Sequence, residues 1–459
     1  MINQNVDTVV ILGLARQGTA LASYFASQGA RVIVSDLRGG DELQSALQAL
    51  RSFEIEYVLG DHPLALLDDC DLLCLSGGIP LGIPIVKEAL RRGIRLSSDA
   101  QIFVQRCPAK IVGITGSAGK TTTTTLVGRM LVASGHKTWV GGNIGNPLID
   151  EIDQIDPTDR VVVELSSFQL ALMTCSPQVA GVLNITPNHL DRHGTMAAYV
   201  AAKHNIVAYQ RPGDVAVLGY DEPNARGMSR ATLADVRYFS GSEPVDAGAF
   251  LEDETLVLRR NGHRVEIGTR AEIKLRGFHN VLNVLAAISL ADAAGASVAG
   301  MRSAIREFTG VAHRLEVVRE RDGVLWVNDS IATAPERVIA ALDAFEEPIV
   351  LLAGGRDKDL PWEAFAERVL ARVRVLILFG EAASLIASEV REAGEQREDG
   401  SDVLETVVRA GSLGAAVQQA AGCVKTGEVV LLSPGGTSFD AYRDFVERGE
   451  HFRELVRRI

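Results

Sequence analysis

At 459 residues the chain is long enough for about three domains. It is 47% hydrophobic and 23% charged, an ordinary globular balance, and no apolar run approaches the ~20 residues that span a bilayer, which argues against membrane insertion. The net charge of −12, with no basic arm to offset it, speaks against a nucleic-acid partner and leaves anionic substrates to local Arg, Lys, Mg2+ and helix termini.

In chain order, the segment Met1-Ile2-Asn3-Gln4-Asn5-Val6-Asp7 lacks the basic and apolar regions of a signal peptide, so a cytoplasmic enzyme is expected. A first block runs to about residue 108. It opens with the strand Thr8-Val9-Val10-Ile11-Leu12 and the turn Gly13-Leu14-Ala15-Arg16-Gln17-Gly18. A helix follows, then the strand Arg31-Val32-Ile33-Val34-Ser35, which ends at Asp36. The turn is a G-x-G-x-x-G with Ala15 at the middle glycine, a weak dinucleotide signal. Asp36 would suit the ribose of NAD, and a helix N-terminus at a diphosphate serves a nicotinamide enzyme and a nucleotide-substrate pocket equally.

The second block, about 109–311, carries the strongest signal. Lys110–Ile114 reads as a buried strand, and Leu126, Val127, Met130 and Leu131 have helical spacing. Between them lies Thr115-Gly116-Ser117-Ala118-Gly119-Lys120-Thr121-Thr122. Glycines at 116 and 119 let backbone N–H groups close around phosphate oxygens, Lys120 adds a full positive charge, and the Thr121 hydroxyl suits Mg2+. The general phosphate-loop pattern wants Gly five residues before Gly119, where this chain has Ile114; the shorter T-G-x-x-G-K-T-T form fits instead. Glu164 ends the strand Arg160-Val161-Val162-Val163-Glu164 beside the loop and is placed to complete a Mg2+ shell. Further along come Asn184-Ile185-Thr186-Pro187-Asn188-His189-Leu190-Asp191-Arg192-His193 and then Lys203. Taken alone, His189 reads as a structural histidine more readily than as a ligand, and Arg192 with His193 as a salt-bridged loop. Short alternating strands near 240–275, such as Thr255–Leu258, predict a small side sheet.

A third block, about 312–459, has strands at 348–353, 373–379 and 428–433, fringed by glycine and interleaved with helical periodicity. Thr333-Ala334-Pro335-Glu336 reads as a capping box with Pro in the first turn. Cys70, Cys74, Cys107, Cys175 and Cys423 are scattered and form no C-x-x-C pair, so buried reduced thiols are expected rather than zinc or disulfides.

The loop T-G-S-A-G-K-T-T, the N-I-T-x-x-H-L-D-R-H segment and Phe278-His279-Asn280-Val281-Leu282-Asn283 resemble the amide-bond-forming Mur ligases of bacterial cell-wall synthesis. So do His313-Arg314-Leu315-Glu316, Asn328-Asp329-Ser330 and Gly354-Gly355-Arg356-Asp357-Lys358, and the resemblance covers essentially the whole chain in order. In the third block, Asn328–Thr333 and Leu432–Asp440 stand where the diaminopimelate- or lysine-adding members carry Asp-Asn-Pro-Arg, and they are similar to the glutamate-adding member. The resemblance implies an α/β chain of three domains. These are a Rossmann-like N-terminal domain (1–108), a central P-loop ATPase-type domain with a small side sheet (109–311) and a Rossmann-like C-terminal domain (312–459).

It further implies an ATP-dependent ligase that adds D-glutamate to the carboxylate of UDP-N-acetylmuramoyl-L-alanine through an acyl phosphate, acting in the cytoplasm as a monomer. Addition of L-glutamate, or another ligase activity of the family, is the alternative. By resemblance, ATP contacts Thr115–Thr122, Asn280, Asn283, Arg314 and Asp329, with Lys120, His189 and Lys203 catalytic. Two Mg2+ are implied, one at Thr121 and Glu164, the other at His189 and a carbamylated Lys203; a carbamate turns a repelling amine into an anionic oxygen donor. An unmodified Lys203 paired with phosphate, and Asn280 and Asn283 as helix caps, remain open on the residues alone. Leu14, Ala15, Arg16, Asp36, Leu37, Arg38, Ser76, Gly78 and Asn143 would line the uridine-nucleotide substrate, and Thr333, Lys358, Ser438, Phe439 and Phe445 the glutamate. The family pattern has Lys after Asn-Asp-Ser, and this sequence has Ile331.

Overall fold

The structure is a computed structural model that describes residues 6–143, 147–358, 360–397 and 402–459. Among them, the strands form three sheets, and the chain divides into two compact units, Met1–Phe308 and Thr309–Ile459. The first unit spans the first expected block and nearly all of the second without a division between them, and the second unit begins at Thr309.

The first sheet holds β1 (Thr8–Leu12), β2 (Arg31–Asp36), β3 (Ile55–Leu59), β4 (Leu72–Leu75) and β5 (Arg95–Ser97), all parallel in the order 3-2-1-4-5. Every residue of β1 is buried, as expected of a central parallel strand covered on both faces. The order reverses between β1 and β4, and a crevice opens at their carboxyl ends. Gly18 packs its helix directly on the turn, because a Cβ there would meet the Gly13 carbonyl oxygen at 1.8 Å.

The second sheet holds β6 (Lys110–Thr115), β7 (Thr138–Gly142), β8 (Arg160–Glu164), β9 (Val179–Val182), β10 (Val215–Gly219), β11 (Asp235–Ser240), β12 (Gly248–Glu252), β13 (Thr255–Arg260) and β14 (His263–Thr269). Its order is 14-13-12-11-10-9-6-8-7, so β6 sits between β8 and β9 and the loop after it opens at a switch point. The small sheet expected near 240–275 is an antiparallel edge, β12–β14, hydrogen-bonded through β11 to the parallel part. The helix Lys120–Ala133 buries Leu126, Val127, Met130 and Leu131, the stripe read from spacing, against the helices Phe278–Ala294 and Val298–Glu307.

The third sheet holds β15 (Glu316–Arg321), β16 (Val324–Asn328), β17 (Ile349–Gly354), β18 (Val373–Phe379), β19 (Thr406–Arg409) and β20 (Val429–Gly435), in the order 15-16-20-17-18-19 with only β15 antiparallel. The adjacent parallel strands β16, β20 and β17 therefore end side by side.

Three local expectations are corrected. Thr333 caps nothing: Pro335 takes the first helical position, which makes Ala334 the N-cap without a side-chain bond. Asn280 and Asn283 lie inside the helix Phe278–Ala294, whose N-cap is Gly277. The five cysteines are free, yet only Cys74 is fully buried; the other four are half-buried.

Candidate functional site

In the first unit, the site grows from the end of β6. Gly119 is the N-cap of the helix Lys120–Ala133 with φ 82°, the left-handed region that favours glycine, and a Cβ there would crowd the Asn283 side chain, whose Oδ1 would lie 2.2 Å away. The loop is braced from β9. Asn184 accepts from Ala118 N at 2.9 Å and returns Nδ2 to the Ala118 carbonyl at 3.2 Å, while Ser117 Oγ donates to the Thr186 carbonyl at 2.9 Å. Lys120 Nζ donates to the carbonyls of Gly116 (2.8 Å) and Ser117 (3.2 Å). Thr115 is buried and donates to the Leu165 carbonyl at 2.8 Å, and Thr122 is half-buried in the first turn of the helix.

Beside the loop, buried Glu164 collects the Thr121 hydroxyl at 2.8 Å and Asn143 Nδ2 at 3.0 Å. Asn143, which the resemblance assigns to the nucleotide substrate, donates here to Glu164. A buried carboxylate with a hydroxyl at its side is a hard oxygen donor set, which fits Mg2+ that completes its shell from phosphate and water. Among the described residues no three His, Cys, Asp or Glu gather around one metal position.

Lys203 is 1% exposed and its Nζ donates to Thr115 Oγ1 (3.1 Å) and the Gly116 carbonyl (3.0 Å). Burial chiefly, and the charge of Lys120 with it, lower its pKa to about 7, with Glu164 opposing them. Tyr199, one turn earlier on the same helix, presents its ring 4.9 Å from Nζ and its hydroxyl 3.0 Å from Ser117 Oγ. His189 takes a left-handed φ of 52° at the start of the short helix Leu190–His193. Its ring lies 5.3 Å from Phe168, which also stacks on His193 at 5.1 Å and underlies Arg192. His193 bonds Ser167 Oγ at 2.9 Å and Arg192 the Gly78 carbonyl at 3.1 Å, so this loop is organised around an aromatic ring. Asn280 donates to the Arg276 carbonyl at 2.7 Å and accepts from Asn283 at 3.0 Å, aligning the pair on one helix face.

At the first-sheet crevice, Asp36 accepts from Leu14 N at 2.7 Å, Arg38 N at 2.9 Å and the Arg38 guanidinium at 2.8 and 3.0 Å. Burial alone would raise its pKa, but the Arg38 and backbone donors prevail and hold it at about 2. Gly77 N donates to Gln17 Oε1 at 2.9 Å, tying the loop after β4 to the helix after β1. Ser76 is buried, whereas Ala15, Arg16 and Gly78 are exposed, as is Leu37 at 65%. Asp36 therefore fastens the two strand ends. The stability it contributes is complete above its ordinary 3.8 and is lost as pH falls toward about 2. Asp36→Asn is expected to flatten that acid limb in unfolding curves; an unchanged acid limb would contradict this role.

In the second unit, Arg314 sits on a strained corner between His313 (φ 61°) and Leu315 (φ 42°). Buried Asp329 holds that corner, accepting from Leu315 N at 3.2 Å and Ser433 Oγ at 2.8 Å. Burial pushes its pKa up to about 7, against the Ser433 and backbone bonds and the Arg314 charge. The loops after β16, β20 and β17 bring Thr333, Ser438 and Lys358 to one sheet edge. Lys358 Nζ is 3.5 Å from Thr333 Oγ1, Ser438 is buried, and Phe445 accepts from Ser330 Oγ through its carbonyl at 2.8 Å. Phe439 is 61% exposed. Sequence reasoning assigned no role to Asn184, Phe168, Tyr199 or Arg448. The first was visible as a polar residue just past a strand, with nothing to say which loop it meets.

The family model "Mur ligase MurD-like, N-terminal domain" matches residues 7–98, "Mur ligase middle domain" residues 114–291 and "Mur ligase, glutamate ligase domain" residues 313–436. A protein of Acetivibrio thermocellus named UDP-N-acetylmuramoylalanine–D-glutamate ligase is 41% identical over 452 residues, 98% of this chain and 96% of that one. One of the same name from Symbiobacterium thermophilum is 41% identical over 454 residues, 98% of each chain. Among solved structures, the UDP-N-acetylmuramate-alanine ligase of Thermotoga maritima shares the fold with a TM-score of 0.56 at 19% identity, covering 98% of this chain and 99% of its own.

Proposed function

This chain belongs to the Mur ligase family, and we propose that it joins D-glutamate to the carboxylate of UDP-N-acetylmuramoyl-L-alanine, converting ATP to ADP and phosphate, in peptidoglycan synthesis. The observation that carries this reading is identity over nearly the full length to ligases of that name. The phosphate loop with Lys120, Thr121 and Glu164 supports it. The domains would divide the work: 1–108 the uridine nucleotide, 109–311 ATP, 312–459 the glutamate. Among the described residues no helix is long and apolar enough to cross a membrane. We further propose that the enzyme acts in the cytoplasm as a monomer.

The substrate carboxylate attacks the γ-phosphorus of ATP, ADP leaves, and an acyl phosphate forms. The glutamate amine, in its neutral form, then attacks the acyl carbon; phosphate departs with the bridging oxygen and the amine proton passes to solvent. This chain's part is mainly positioning and charge. Loop N–H groups and the helix start orient the phosphates, Lys120 offsets charge growing between β and γ, and the Asn280–Asn283 face holds the nucleotide. Thr121 with Glu164, and His189 with Lys203, would hold two Mg2+, which neutralise phosphate charge when bound. For the second, Lys203 would supply a carbamate oxygen, formed when the neutral Nζ adds CO2 and releases a proton; a buried amine of lowered pKa offers the neutral form that this addition needs.

Phosphate release from ATP with UDP-N-acetylmuramoyl-L-alanine, run with D-glutamate and in parallel with L-glutamate, tests the reading. Turnover with D-glutamate alone is expected. Turnover with L-glutamate alone would reassign the amino acid and implicate Ile331, and silence with both while ATP binds would overturn the nucleotide substrate.

A further inference from the structure

A uridine nucleotide is told from a cytidine nucleotide at N3 of the base. Uracil carries a proton there between two carbonyl oxygens, whereas cytosine presents a lone pair beside an amino group. A site that selects uridine therefore needs an acceptor at N3. Asp36, the acidic residue at the end of β2, has no such capacity left: Oδ2 accepts from Leu14 N and Arg38 Nη2, and Oδ1 from Arg38 N and Nε. Another acceptor stands next to it. Strands β2 and β3 pair as far as Asp36 and Leu59, Gly60 N donates to the Asp36 carbonyl at 2.8 Å, and the chain continues through Asp61 to His62. The half-buried ring of His62 lies close enough to Asp36 to feel its charge.

The tautomer of that ring follows from one hydroxyl. Ser35 Oγ is 2.8 Å from the Asp61 carbonyl oxygen and 2.7 Å from His62 Nδ1. A hydroxyl has a single proton and a carbonyl can only accept, so both bonds form when Ser35 donates to Asp61 and Nδ1–H donates to Ser35. Burial lowers the His62 pKa from its ordinary value, against the charges of Asp36 and Asp61, and the ring is neutral at neutral pH. Nε2 then carries a lone pair, and among the described residues it has no partner. Leu37, 65% exposed between Asp36 and Arg38, offers apolar surface for a planar base at the same strand end.

We propose that His62 accepts the N3–H of the substrate's uracil through Nε2 and sets the preference of the enzyme for uridine over cytidine nucleotides. Ser35 fixes the ring and its tautomer before the base arrives, so little freedom is lost on binding. Cytosine would set its own N3 lone pair against that of Nε2, and the site would repel it rather than merely lack a bond.

The inference rests on the uridine-nucleotide reading above, and the test separates the two. Binding of UDP-N-acetylmuramoyl-L-alanine and of its cytidine counterpart to the full-length protein is measured by calorimetry for wild type, His62→Ala and His62→Gln. Wild type is expected to hold the uridine compound about a hundredfold more tightly than the cytidine compound. His62→Ala should bind the uridine compound about tenfold more weakly, and the cytidine compound as tightly as wild type or more so. His62→Gln, whose side-chain oxygen accepts at a similar reach, should recover most of the preference. Equal weakening of both compounds in His62→Ala would make the ring a brace for its loop, and an unchanged preference would leave base selection to other groups. Either result overturns the role of His62 while the uridine substrate stands, as does a wild type that binds the two compounds alike. Failure of wild type to bind the uridine compound would overturn both.

Discussion

Lys203→Ala is expected to lower kcat by about 10²- to 10³-fold while ATP affinity changes little, because the side chain serves charge development rather than nucleotide binding. Lys203 is buried against the phosphate loop, with Nζ on Thr115 and Gly116, and is braced by the Tyr199 ring. A plain ammonium there would sit beside Lys120, and that repulsion helps bring its pKa to about 7. As pH rises through that value, the amine loses its proton and becomes able to add CO2. Enzyme stripped of CO2 and bicarbonate should therefore lose activity and regain it on adding bicarbonate at pH 8, with a carbamate resonance appearing from 13C-bicarbonate. Full activity without bicarbonate, or Lys203→Arg as active as wild type, would mean that the lysine works unmodified.

Glu164→Gln is expected to cost about 10²-fold in kcat and to raise the Mg2+ concentration for half-maximal rate about tenfold. The substitution keeps the shape and an oxygen for the Thr121 hydroxyl, so the loop stays in place. What it removes is the negative charge, buried between Thr121 and Asn143, that a divalent ion needs. Titrating Mg2+ against rate in wild type and variant checks this. An unchanged Mg2+ dependence would assign Glu164 to holding Thr121 and Asn143 alone.

Local patterns carried the fold well. The stripe at Leu126, Val127, Met130 and Leu131 is buried as spacing predicted, and the apolar runs of β1, β17 and β18 are central parallel strands. Such features depend on neighbours a few residues apart. The partners of the site are another matter. Asn184 meets Ala118 across 66 residues, Tyr199 meets Ser117 across 82, and Arg448 meets Ser330 across 118. No periodicity encodes those distances; they arise when switch points set loops from distant strands side by side. Thr333 shows the same limit in miniature. Its four-residue pattern matches a capping box, yet Pro335 shifts the helix start by one residue and Thr333 turns toward Lys358. Asp36 was readable as the acidic residue ending the second strand, but its bond to Leu14 N and its clasp on Arg38 required the folded sheet.

The most direct measurement follows oxygen. UDP-N-acetylmuramoyl-L-alanine labelled with 18O in both carboxylate oxygens is turned over with ATP and D-glutamate, and the released phosphate is analysed by mass. An acyl phosphate places one labelled oxygen in each phosphate released and leaves the other in the new amide. Unlabelled phosphate, formed while D-glutamate is consumed, would contradict attack by the substrate carboxylate and with it the proposed ligase chemistry.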